Sequence, residues 1–151
     1  MSEQQSQDLN EQPESLIANT DWLLQMLINL VNGNDMAISI TLNVGGAIIY
    51  GDLVSGHKYL EQLGLGFSRG LFGSESEESR SFAESFKKMG DAIYDKEKLE
   101  DPGQPAPSFI HLKNAKFIRP LGQTLPESGG FWWRGKVSAI DGFFLESLIF
   151  S

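Results

Sequence analysis

The chain of 151 residues contains no cysteine. That excludes disulfides, thiol nucleophiles and thiolate metal sites. Histidine is almost as scarce. Only His57 and His111 occur, and neither has a Cys, His, Asp or Glu at ligand spacing. Both read as surface or loop histidines. Positive charge is short as well: 12 Lys+Arg stand against 20 Asp+Glu, for a net charge of −8. A non-specific nucleic-acid binder needs a basic surface that releases counterions, so this balance argues against nucleic acid as a partner. No apolar run approaches the 18 or so residues that a membrane-crossing helix requires. The opening segment MSEQQSQDLNEQPES has neither the basic nor the apolar region of a signal peptide. No Gly-x-Ser-x-Gly elbow and no phosphate loop ending in Gly-Lys-Ser/Thr is present. No catalytic residue, cofactor or metal site is therefore expected.

The polar residues 1–15 cannot bury enough apolar surface to offset their ordering and read as a flexible tail. The remainder, 16–151, reads as a single α+β domain. Residues 19–32, NTDWLLQMLINLVN, predict a helix capped by Asn19 or Thr20 and ended by Gly33. Leu23, Met26, Leu27, Leu30 and Val31 form its expected apolar face, Trp22, Leu24 and Ile28 widen it, and a helix this apolar is expected to be covered on more than one side. Residues 37–44 alternate apolar and polar, which predicts a half-buried strand. Gly45-Gly46 supplies a tight hairpin turn, and 47–54 returns as the partner strand with a bend at Gly51.

A helical insert is expected over about 56–98. It comprises a short helix at 56–63, a Gly, Ser and Glu loop at 64–78, and a long helix at 79–98. Phe82, Phe86, Met89 and Ile93 give that second helix its apolar spacing. DPGQPAP at 101–107 breaks the chain. A strand follows at 108–118, bulged near Asn114, with His111 turned away from the core.

The last stretch, FWWRGKVSAIDGFFLES, reads as a hairpin turned at Asp141-Gly142, with strands at 131–140 and 143–150. Alternation places Phe131, Trp133, Gly135, Val137, Ala139, Phe144, Leu148 and Phe150 on the core wall. The opposite face holds Trp132, Arg134, Lys136, Ser138, Ile140, Phe143, Leu145, Ser147 and Ile149. That face is too apolar for plain solvent surface. Trp132, Arg134, Lys136, Phe143 and Leu145 are the candidate interaction residues. The two cations beside Trp132 are suited to an anion, or to keeping the strand soluble.

The order of helix, hairpin, helical insert, strand and hairpin resembles an Sm-like small β-barrel, a five-stranded, strongly bent antiparallel sheet behind an N-terminal helix. That resemblance implies ring-forming homo-oligomers and, as an alternative function, RNA binding. TLNVGGAIIYGDLVSGHKYLEQL, FIHLKNAKF and WRGKVSAIDGFFLESL are similar to the gas vesicle accessory protein U family. This second resemblance implies a cytoplasmic, non-enzymatic accessory protein of vesicle assembly or organisation. Its partners would be gas vesicle proteins and copies of itself, with no membrane.

Overall fold

Helix α1 (Trp22–Asn32) opens the computed structural model, which describes residues 20–73 and 76–146. The expected tail at 1–15 lies outside the described residues. Asp21 is the cap. Its carboxylate accepts from the Leu23 and Leu24 N–H groups at 2.9 and 3.4 Å, in place of the expected Asn19 or Thr20. The helix ends at Gly33, as the sequence predicts.

The buried stripe of α1 is narrower than the expected face and centred on its margin. Leu24, Ile28 and Val31 are inside, whereas Leu23, Met26 and Leu30 are exposed. Apolar residues surround most of this helix, so periodicity alone cannot select which stripe meets the sheet.

Strands β1 (Ile38–Val44) and β2 (Ala47–Val54) pair as a hairpin from Ile38↔Leu53 to Val44↔Ala47. Gly45 and Gly46 turn it with φ of 60° and 89°, values that favour glycine. The insert then forms α2 (Gly56–Phe72), α3 (Glu77–Ile93) and the short α4 (Lys96–Glu100). Three strands and a 3-10 turn follow in β3 (Phe109–Ile118), β4 (Thr124–Leu125), β5 (Phe131–Lys136) and Val137–Ala139, and β6 (Gly142–Phe144) ends the described sheet.

The protein is thus α+β, with an N-terminal helix, an antiparallel sheet and an inserted helical segment. The strand order is β4-β3-β2-β1-β6, and β5 also pairs with β3. The sheet has six strands rather than five, because the two-residue β4 joins the edge of β3. It is not closed into a barrel among the described residues.

The core lies between α1 and one face of the sheet. Ile40 and Leu42 of β1, Ile49 and Leu53 of β2, and Ile110, Leu112 and Ala115 of β3 meet the α1 stripe there. A bulge at Asn114, φ 54°, shifts the phase of β3. Ile110 and Leu112 face the core before it, and Ala115 and Phe117 after it. Both neighbours register the same extra residue: Tyr50 and Asp52 flank it on β2, and Trp133 and Phe131 on β5. Gly51 sits against the bulge, where an added Cβ would come within 2.9 Å of the Lys113 carbonyl oxygen.

The terminal hairpin is not formed. β5 pairs with β3, and β6 pairs with β1 through Thr41↔Phe144, Leu42↔Phe143 and Asn43↔Gly142. Ile140 therefore does not oppose Phe143. Asp141 is used otherwise. Its carboxylate accepts from the Gly45 N–H at 2.7 Å, and its own N–H donates to the Asn43 carbonyl at 2.8 Å. The 3-10 turn rotates the chain, so Phe143 packs on the core and Phe144 is exposed, the reverse of the alternation expected. Residues 147–150 of the expected last strand lie outside the described residues.

The expected loop at 64–78 is also corrected, since α2 continues through Phe72. Tyr59, Leu63, Phe67 and Leu71 stand four residues apart, a helical spacing masked by three interspersed glycines. α2 and α3 form an antiparallel pair. Phe67 stacks on Phe86 at 6.3 Å, and Phe72 meets Phe82 at 5.9 Å. Ser68 donates to the Ser79 carbonyl at 2.7 Å in the buried seam.

Two glycines of α2 give opposite expectations. Gly66 has open space around it, so Gly66→Ala should stabilise by about 0.5–1 kcal/mol through helix propensity. A Cβ on Gly64 would lie 2.5 Å from Phe86 Cβ, so Gly64→Ala should destabilise by roughly 1–3 kcal/mol through overpacking. Thermal melts of the two variants check both signs.

Candidate functional site: an apolar groove beside a lone cation

β3 is covered on both faces. Ile110 and Leu112 enter the core on one side, and on the other His111 lies only 2% exposed. The expectation that His111 sits at the surface is therefore wrong. The outer face of β3 is covered by α2, whose Tyr59 ring stands 4.7 Å from the imidazole. Burial, together with the nearby Arg134 guanidinium, holds the His111 pKa down to about 4. His111 is neutral near pH 7. Its Nε2 faces Arg134 Nη1 at 3.4 Å, with the guanidinium as the donor.

Arg134 comes from β5, opposite His111 in the register. Its guanidinium also lies 3.9 Å over the Phe109 ring, a cation–π contact. Burial pushes the Tyr94 hydroxyl up from its usual value, while Arg134 pulls the other way. Among the described residues the ion pairs are His57–Asp91 and Lys58–Asp35, and Arg134 takes part in neither. It is a cation held by the Phe109 ring face and a neutral imidazole.

Next to this cluster, α2 and β5 enclose an apolar groove of about 400 Å³. Tyr59 is shared between the two, since it lines the groove and packs on His111. Leu63, Phe67 and Leu71 continue the wall along α2, and Trp132 closes it from β5. No charged side chain lines it. An arrangement of this kind can hold an apolar segment and present one cation to a carboxylate at its edge.

The structure brings only part of the candidate face together. Trp132 and Arg134 stand on the outer side of β5 beside α2, and Lys136 is exposed on the same strand. Leu145 is exposed after β6, on the other side of the sheet's strand order. Phe143 packs on the core. The α2 wall was missing from the sequence reading, and its four-residue apolar spacing was the available signal. Trp133 is half-buried against the core, and its indole lies over Gly135.

The family model described as gas vesicle protein GvpU-like matches residues 21–148. The chain belongs to the gas vesicle protein GvpU-like family. Membership implies an accessory role in the gas vesicle system. No curated protein and no solved structure matches the chain significantly. The comparisons lend no support to the RNA-binding alternative. Among the described residues no helix is long and apolar enough to cross a membrane, and no group of three His, Cys, Asp or Glu could hold a metal ion.

Two expectations follow from these environments. Trp133→Ala should cost about 3 kcal/mol, at the low end for a large aromatic because the ring is only half-buried. Trp132→Ala should cost clearly less, and denaturant titration of both ranks them. His111 has an unfolded pKa near 6.5 and a folded pKa of about 4, so the folded state binds its proton later. Its contribution is full above pH 6.5 and is lost as pH falls toward 4, by roughly 3 kcal/mol in all. A His111→Leu variant should lose that part of the pH dependence, leaving a shallower fall in stability across the window.

Proposed function

We propose that the chain is a non-enzymatic adaptor of the gas vesicle system, working in the cytoplasm in vesicle assembly or organisation through protein–protein contacts. The observation that carries this reading is the unusual amount of large apolar surface left uncovered on two elements. Trp22, Leu23, Met26 and Leu30 of α1 are exposed, and so are Phe67 and Leu71 of α2 with Trp132 beside them. Contiguous apolar patches on a soluble chain mark contact surfaces. Trp132 and Arg134, with Lys136 and Leu145 at the margin, are the residues assigned to contact with vesicle proteins. Aromatic and Arg side chains are the usual energetic centres of such interfaces. Self-association through exposed apolar surface belongs to the same reading.

Buoyant centrifugation tests the vesicle contact. The chain, added to isolated vesicles, should float with them. The double substitution Trp132→Ser with Arg134→Ser should leave most of it in the liquid below. A wild-type chain that stays below at every concentration contradicts the reading.

A further inference from the structure

The two exposed apolar surfaces lie on opposite sides of the sheet. α1 covers the core face, whereas the groove is built by α2 and Trp132 on the outer face. One copy therefore cannot fill its own groove with its own α1. The surfaces also match in shape, and neither carries a charged residue. The α1 stripe is convex and runs along Trp22, Met26 and Leu30 at four-residue spacing, with Trp22 67% exposed. The groove is concave, and Gly66 and Gly70 leave open space where side chains would otherwise stand.

The absence of charge on both surfaces lets a second copy be the occupant. The whole helix WLLQMLINLVN carries no charged residue, and neither does the groove lining. The chain as a whole has 20 acidic and 12 basic residues. The uncharged stripe and the uncharged groove are surfaces on which two acidic copies can approach without burying a charge.

Resting on the self-association in the reading above, we infer that α1 of one copy docks in the α2–β5 groove of a second copy, with Trp22 or Met26 entering between Phe67 and Trp132. Such a contact is heterologous. Each copy uses its stripe on one neighbour and its groove on another, so assembly proceeds head to tail into a ring or a filament. The net charges of the copies repel, and salt screens that repulsion over about 8–10 Å. Association therefore strengthens with salt rather than weakening.

Sedimentation velocity on the full chain, with complementing variants, tests the inference. Trp22→Glu disables the stripe and Phe67→Glu disables the groove. Gly66→Leu fills the groove at a position with nothing within 4 Å and with improved helix propensity, so it blocks docking without threatening the fold. Each variant alone should associate at least roughly 100-fold more weakly than the wild type, as loss of a central aromatic anchor requires. An equimolar mixture of the Trp22→Glu and Phe67→Glu chains should form a one-to-one dimer that grows no further, because one intact stripe meets one intact groove. If the wild type associates but the variants associate equally well, or the mixture stays as single chains, the head-to-tail contact is overturned while self-association stands. A wild type that sediments as a single chain at all concentrations overturns both, including the case in which another segment of the same chain occupies the groove.

Discussion

The bulge at Asn114, pressed against Gly51, is the constraint on which the rest of the structure depends. One extra residue in β3 is accommodated by both of its neighbours at once. The added residue bends the strand and reverses which side chains face inward beyond it. Gly51 makes the bend sterically allowed, since a side chain there would strike the β3 backbone. Gly130 meets Asn114 from the other flank, where a Cβ would again fall within 2.5 Å of backbone. The bulge therefore fixes the position of β5 as well as that of β2, and β5 carries Trp132 and Arg134.

The consequences run outward from that bend. β5 is seated on β3 with Arg134 opposite His111, so a guanidinium is brought against a neutral imidazole and the Phe109 ring. α2 crosses the same outer face and seals His111 with Tyr59. Beyond Tyr59 the helix runs opposite Trp132 of β5. Its apolar side chains face Trp132 across an unfilled groove, while its other side packs on α3 through Gly64 and the buried Ser68–Ser79 contact. The insert thus completes one side of the sheet and creates a new apolar surface in the same stroke.

Much of this was legible in the sequence, for reasons that can be named. The β1–β2 hairpin was readable because strict alternation and Gly45-Gly46 point to the same register. Gly51 and Asn114 were readable as bend and bulge because each interrupts a strand pattern. The terminal hairpin was misread because Asp-Gly satisfies a local turn rule while its carboxylate is engaged by the distant Gly45 N–H. Long-range bonds of that kind leave no local trace. The buried stripe of α1 was centred wrongly, on Leu23, Met26 and Leu30 and not on Leu24 and Ile28, because two apolar stripes compete on one helix. The groove was missed because three glycines in α2 hid a regular four-residue apolar spacing. His111 was placed outside because alternation assumes that one face of a strand meets water, and a helix covered it.

The family places the chain in the gas vesicle system, and the geometry supplies surfaces on which an accessory protein of that system could act. The central claim is that the α1 stripe and the α2–β5 groove are contact surfaces and not incidental exposure. Methionine oxidation by dilute peroxide, followed by mass spectrometry, reads this without any substitution. Met26 on the stripe is 53% exposed and Met89 on α3 is 48% exposed, so in the dilute single chain the two should oxidise at similar rates. In the assembled protein, alone or on vesicles, Met26 should become protected several-fold relative to Met89. Equal oxidation of both residues in the assembled state would contradict the account.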